Sequence, residues 1–499
     1  MSVKTIEIWA DSFHEGVWCC DNICTYLKKI GYTCEQSFTS GFIPTYSIIN
    51  ADVKIAEFHV YGSYKSWTPM PNAIKNLIEW GKPDFVAFDP DNEEIWFAVE
   101  ETAAVPTGNQ AMQRCERQYG SARALIPYWY FVSEYGEHVD GGVRRDNIWP
   151  SIAAMKLTLT KNIPSIVLHY SDIDSVEDYN SGKGLALLFE TLSRIIDNKL
   201  HNKTKFDGIK NLVAQQYSLM IEFLLSQWEN VIEFLPTENL LKDPNTPNIL
   251  AEAALNITGA ANDSIKEQLL VWPLTSGVPR DILNAQQGKD LIKYDALSEQ
   301  LEKDVTSHKC YILSNNAGSG KPPKYEKIKE WVGQQQRLSS RGKALIPPAP
   351  FIMKPSDFPE TESGNRHITT SKNIVYLYDH WSDLRNSIET AYPRLKGKFA
   401  SKIEDNSPIF LYLSNSVKPG RLFGDPFTGQ LSAFSTAFGK FDKNQRKVIM
   451  YFPHQVYTQA FNAKWAIEKN KGTTLFSELS DYIIFNAGVA VSLSKGEIL

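Results

Sequence analysis

Apolar and polar residues alternate along 4–9 (KTIEIW), which predicts a short strand at the start of the chain. Residues 17–30 place apolar side chains at three- and four-residue spacing and stop at Gly31, the pattern of an amphipathic helix. A strand over 54–60 and a helix over 72–80 follow. The apolar runs 85–88 and 95–99 flank Asp89-Pro90-Asp91-Asn92, turn chemistry that predicts a hairpin. A helix over 109–124 and two buried strands, 128–133 and 165–170, continue the alternation. Strands alternating with helices predict an α/β domain over 1–200, a mixed sheet flanked by helices.

Residues 206–235 read as one long helix, and the turn-rich stretch 236–247, with prolines 236, 244 and 247, reads as a boundary. The pattern over 248–345 is mostly helical. Prolines 347, 348, 350, 355 and 359 mark 346–370 as loop. The last part alternates strands (374–378, 408–413, 447–452, 482–486) with helices (381–390, 455–470). Three regions are therefore expected: α/β over 1–200, mostly helical over 201–370, and α/β again over 371–499.

Composition changes this picture little. Hydrophobic residues at 42% and charged residues at 22% exclude a wholly disordered chain. No run of about 18 apolar residues occurs, which speaks against a membrane-spanning helix. The N-terminus lacks the basic start and apolar stretch of a signal peptide, so a soluble, cytoplasmic protein is expected. The net charge of −5 is unevenly placed: residues 1–170 hold 14 Lys/Arg against 20 Asp/Glu, and the rest hold 38 against 37. Six cysteines are too few for a disulfide scaffold. Cys19, Cys20 and Cys24, with Cys34 further on, lack a second CxxC pair and read as buried free thiols rather than a zinc site.

The segment that carries chemistry is 83–119, PDFVAFDPDNEEIWFAVEETAAVPTGNQAMQRCERQY. A hairpin turning about residue 92 sets Asp84 opposite Glu100, with Cβ atoms about 5 Å apart. Carboxylates that close repel unless a cation lies between them. Mg²⁺ suits such a place, because it takes one or two protein carboxylates plus waters and a substrate phosphate. Along the strand Glu101 points away from Glu100, and Thr102 returns to its face. On the following helix Gln110, Gln113, Arg114, Arg117 and Ser121 form a polar face. Ala111, Met112, Cys115, Tyr119 and Ala122 form a buried one. Arg114 and Arg117 suit phosphate oxygens, since guanidinium pairs with them bidentately.

Over about 90 residues, 83–170, this segment resembles the PD-(D/E)xK nuclease superfamily, which includes many type II restriction endonucleases. In that superfamily a Pro-Asp opens one strand of a hairpin, an acid-x-Lys triad closes the next, and a helix and another strand follow. The resemblance implies that Asp84 and Glu100 bind the metal. Thr102 stands where lysine would be, a departure that leaves Gln110, Gln113 or Arg114 to support the water or the scissile phosphate. An upstream acid, Glu57 or Glu79, is implied as a further candidate. The implied activity is Mg²⁺-dependent hydrolysis of double-stranded DNA by a restriction or related defence nuclease, working as a homodimer because two strands are cut. A DNA-binding protein that keeps the fold without cleaving is the alternative.

Elsewhere, residues 321–343 hold Lys321, Lys324, Lys327, Lys329, Arg337, Arg341 and Lys343 against Glu326 and Glu330, with Trp331 and Gln334–Gln336 interleaved. Basic side chains grip phosphates, and Gln and Arg can read base edges, so with Arg117 this stretch is the expected DNA contact. Arg394, Lys396, Lys398 and Lys402 form a second basic cluster. Asn315–Pro322 resembles a phosphate loop but lacks its first glycine and its Ser/Thr, so it reads as a basic loop. The stretch 421–430 reads as a connection, the His138–Asp146 segment as a polar surface loop, and 379–382 as a helix-capping turn. No GxSxG elbow or HExxH pair is present.

Overall fold

Eight strands form a mixed sheet in the order β2-β3-β4-β1-β5-β6-β7-β8. They are β1 (Lys4–Ala10), β2 (Thr33–Phe38), β3 (Pro44–Asn50), β4 (Val53–Tyr61), β5 (Phe85–Asp89), β6 (Glu94–Thr102), β7 (Tyr128–Ser133) and β8 (Ser165–Tyr170). The computed structural model describes residues 3–62, 64, 69–79, 81–102, 114–133, 149–170, 183–226, 238–257, 308–314, 372–378, 380–413, 447–452, 480–485, 489–493 and 497–499. β1 and β4 run parallel, as do β6, β7 and β8, while β5 is antiparallel to both β1 and β6. The carboxyl ends of β1, β4, β6, β7 and β8 therefore share one edge, and β5 begins at that edge. The expected α/β architecture is present.

Helices cover both faces. Strand alternation sends Phe85 and Asp84 to opposite sides. On the Phe85 side lies α1 (Phe13–Lys29), whose Trp18 packs on Phe85, Phe131 and, from α5 (Lys183–Leu200), Phe189. Ser12 caps α1: its hydroxyl accepts from Glu15 N at 3.2 Å and donates to the Glu15 carboxylate at 2.9 Å, which fixes where the helix begins. Cys19, Cys20 and Cys24 lie on the inner face of α1 as buried free thiols, as the sequence led us to expect. The other face carries α3 (Cys115–Arg123) and α4 (Trp149–Lys161); α2 (Asn72–Ile78) packs against β6.

The sheet's helical cover extends past residue 200, where a boundary was expected. Helix α6 (Lys210–Ser226) packs on β8 and α5, and the Trp129 indole of β7 donates to Gln216 Oε1 at 2.6 Å. The stretch 236–247 itself holds α7 (Glu238–Lys242) and the start of α8 (Thr246–Ala254); both return onto α6, and α8 also meets α4. A boundary at 200 or at 236–247 would strip apolar faces from one continuous core, so this layer runs through residue 257. The amphipathic pattern over 206–235, expected to open a separate helical region, is over Lys210–Ser226 the pattern of a helix packing on a sheet.

A second mixed sheet follows, in the order β15-β14-β13-β12-β11-β10-β9. β9 (His308–Ser314) and β10 (Lys372–Tyr378) pair antiparallel; β11 (Ile409–Leu413), β12 (Lys447–Phe452) and β13 (Tyr482–Phe485) are parallel; β14 (Ala490–Ser492) and β15 (Glu497–Ile498) finish the sheet antiparallel. Helix α9 (Trp381–Ala391) lies between β10 and β11 in the chain. β9 corrects the helical expectation for 248–345 and shows that this sheet starts before residue 371. Its apolar run, Cys310 to Leu313, is too short for periodicity to separate strand from helix. Among the described residues, no helix is long and apolar enough to cross a membrane.

His169 near the end of β8 stacks on Phe223 of α6 at 3.4 Å between ring centroids, and its Nε2 lies 3.2 Å from the Ser151 hydroxyl. Burial pushes its pKa down to about 3. In the unfolded chain the ring titrates near 6.5, so its neutral form contributes stability that is complete above that value. That stability is lost as pH falls from about 6.5 towards 3, with a slope approaching about 1 kcal/mol per unit. The H169F variant should show a flatter acid limb in denaturant titrations over that window.

Candidate active site

The hairpin register near the acids is the one that the turn chemistry predicts. Phe85 pairs with Val99, Val86 with Ala98 and Ala87 with Phe97. Past Ala87 the ladder shifts by one: Trp96 is the extra residue, and Phe88 meets Ile95. The bulge lies on the turn side, so Asp84 and Glu100 continue the unshifted register at the other end. Asp84 Oδ2 accepts the Glu101 amide at 2.5 Å, which ties the start of β5 to the end of β6.

Glu100 is fully buried and Asp84 is 9% exposed. The Glu100 carboxylate meets two guanidiniums through one oxygen: Arg114 Nε lies 2.7 Å from Oε1, and Arg117 Nη1 donates to the same atom. Its other oxygen, Oε2, is buried without a hydrogen-bond partner. Burial raises the Glu100 carboxyl above its ordinary range, against the pull of Arg117 and Arg114. Asp84 is pushed well above its range, first by burial and then by the charge of Glu100. Burial lowers Arg117, but Glu100 beside it outweighs that and holds the guanidinium charged. Two interacting acids titrate as a pair: burial raises both, and Asp84, which also feels the Glu100 charge, is raised further.

Arg117 depends on a glycine. Gly81 has φ +150°, and a Cβ there would lie 2.6 Å from Arg117 Cγ and 3.2 Å from its Cα. The loop before β5 can pass α3 only without a side chain at this point. G81A should lower stability by about 1–3 kcal/mol in urea unfolding, through overpacking plus a strained backbone.

The structure brings in residues that sequence reasoning missed. Asp11, at the carboxyl end of β1, donates its amide to the Asp84 carbonyl at 2.8 Å. The Glu15 charge bears on Asp84, and the Asp11 charge bears on Tyr64. Tyr64 is buried at φ +43°, and its hydroxyl donates to the Pro83 carbonyl at 2.6 Å. Tyr128 is fully buried with its hydroxyl unpartnered, and burial and then Glu100 raise it well above its range. The Ser12-Phe13-His14-Glu15 capping box and the acid ending β1 were the signals available for Glu15 and Asp11.

Glu57 and Glu79 are not in this cluster. Glu57 sits mid-strand in β4, bound to Lys54 at 2.5 Å and to His59 at 2.7 Å, and Glu79 is exposed just past α2. Arg117, expected as a DNA contact, has its guanidinium on Glu100, within the carboxylate cluster. The expected polar face of 109–124 is also corrected: Ser121 and Gln118 are buried, and the Gln118 side chain bonds to the Pro150 carbonyl and Ser165 Oγ. Thr102 ends β6 opposite Val132. Gln110, Gln113, Lys321, Lys324, Lys327, Lys329, Arg337, Arg341 and Lys343 lie outside the described residues, as do 315–322, 138–146 and 421–430. In the second basic cluster Arg394, Lys396 and Lys398 are exposed, whereas Lys402 pairs with Glu497 at 2.7 Å.

Among the described residues, no group of three His, Cys, Asp or Glu side chains gathers to hold a metal. The donor set still fits Mg²⁺, which needs only one or two carboxylates and keeps several waters. The buried, unpartnered Oε2 of Glu100 beside a second acid is the kind of atom a cation satisfies. Comparison with models of known protein families, with curated protein sequences and with solved structures gives no match in any of the three.

Proposed function

We propose that the chain is a Mg²⁺-dependent nuclease that hydrolyses phosphodiester bonds in double-stranded DNA. The observation that carries this reading is the pairing of Asp84 and Glu100 at the sheet's carboxyl edge, with Arg114 and Arg117 on the next helix reaching the same point. Hairpin, helix and parallel strand follow in the order that the PD-(D/E)xK resemblance implies, which supports it further.

Asp84 and Glu100 would hold the metal, which when bound supplies Lewis-acid stabilisation and an acidified water. The rest falls to the chain. Arg114 and Arg117 take phosphate oxygens and stabilise the charge that develops on them in attack. The Glu101 amide positions Asp84. Buried Tyr64 and Tyr128 wall the carboxylates off from bulk water, which strengthens every charge interaction inside. A restriction or related defence role, and a homodimer that places two sites on two strands, belong to the same proposal.

Thr102, standing where the resemblance calls for lysine, favours a second reading: a DNA-binding protein that keeps the fold without cleaving. Incubation of purified protein with unmethylated plasmid, in Mg²⁺ and in EDTA, separates the two. Mg²⁺-dependent cleavage that is absent in D84A supports the nuclease. Retarded but uncut DNA from a folded wild type, with linear and RNA substrates also intact, supports the binding protein.

A further inference from the structure

We propose that Arg114 and Arg117 guard the metal carboxylate, so that nucleic acid and metal bind cooperatively and neither fills the site well alone. This rests on the nuclease reading and specifies how its site is loaded. Glu100 has no exposed surface, whereas the side chains of Arg114 and Arg117 are 22% and 15% exposed. The two arginine side chains are thus the partly exposed members of a cluster whose acid is fully buried. Both converge on Glu100 Oε1, while Oε2 has no partner.

A divalent cation arriving alone meets two like charges and a carboxylate already compensated. A phosphodiester arriving at the same place meets two bidentate donors. As the guanidiniums turn to the phosphate, Glu100 is left charged, buried and beside Asp84, an arrangement that a cation relieves. The same exchange works in reverse: a cation on Glu100 releases the arginines for phosphate. Linkage makes the two effects equal in size.

The test is Mn²⁺ binding, followed by loss of the free-ion EPR signal. Wild type is compared alone and with a mixed-sequence 20-base-pair duplex carrying phosphorothioate linkages, after subtraction of binding by the duplex alone. The expected result is Mn²⁺ affinity about tenfold or more higher with the duplex. In R114Q, and in R117Q where it folds, Mn²⁺ affinity without the duplex should rise towards that of the wild-type complex. Equal Mn²⁺ affinity with and without bound duplex, abolished in D84N, overturns the guard while keeping the metal site. Mn²⁺ binding that is absent in every condition, or unchanged in both D84N and E100Q, overturns the nuclease reading with it. The wild-type comparison needs no variant, so poor folding of R117Q leaves the test intact.

Discussion

D84N should abolish metal-dependent cleavage and yet yield a more stable protein. Loss of outer groups that merely orient metal ligands costs about 10–100-fold, so removing one of two ligating carboxylates should exceed that, at about a thousandfold or more. The stability gain follows from the titration of Asp84, which burial and then the Glu100 charge push well above its range. In the unfolded chain this carboxyl loses its proton near pH 3.9; in the folded chain it does so later. Stability is therefore complete below about pH 4 and falls as pH climbs from there through the raised folded value. A carboxamide in the same place does not ionise, so D84N escapes that loss and should gain about 1 kcal/mol at pH 7. Urea unfolding at pH 4 and pH 7 checks it: wild type and variant should converge at the lower pH and separate at the higher. Added Mg²⁺ should raise the wild-type midpoint and leave D84N unmoved. A variant that is both inactive and less stable at pH 7 would mean that Asp84 is a structural acid held by the Glu101 amide.

Much of this site is legible in the sequence because it is local. Pro83, Asp84 and the Asp89–Asn92 turn mark a hairpin whose far ends carry Asp84 and Glu100, all within one short stretch of chain. The unmarked Trp96 bulge is part of that pairing: the turn closes on Asp89 and Glu94, whose register alone would set Asp84 opposite Val99, and the extra residue restores Glu100. What joins the acids from a distance is less legible. Glu15 and Asp11 come from the junction of β1 and α1, and Tyr64 from beyond β4; nothing in spacing says that β1 will pair with β5. Of the upstream acids expected from the sequence, Glu57 lies too early in β4 to reach the carboxyl edge and Glu79 is exposed past α2.

The fold shows the same division. The β3–β4 hairpin escapes notice because its two-residue turn is Ala51-Asp52, at φ 46° and 62°, not the Asn-Gly or Asp-Gly that marks such turns. β2 escapes because five of its six residues are exposed, so no alternation betrays it. Helices α6 and α8 were legible as helices but not as part of the first domain, since an apolar stripe does not name the surface that it will cover.

R117Q should be among the most destabilising single changes in the molecule, costing about 3 kcal/mol. Arg117 is not a surface residue pairing for slight gain. Its partner Glu100 is fully buried, carries an unpartnered second oxygen and stands beside another acid. Removing the guanidinium leaves that carboxylate with Arg114 alone, and Arg114 is the more exposed of the two. E100Q should cost less, because a long guanidinium that is already partly exposed can turn to water, whereas Glu100 on the central strand β6 cannot. The double variant E100Q/R117Q puts two neutral amides in place of the ion pair and should be more stable than R117Q alone. The cycle should return a coupling of about 2 kcal/mol, measured by urea unfolding of the four proteins. Additive losses would mean that the Glu100 charge is satisfied without Arg117. In that case Arg117 is free to serve a phosphate from the outset, and the carboxylate has no guard to displace.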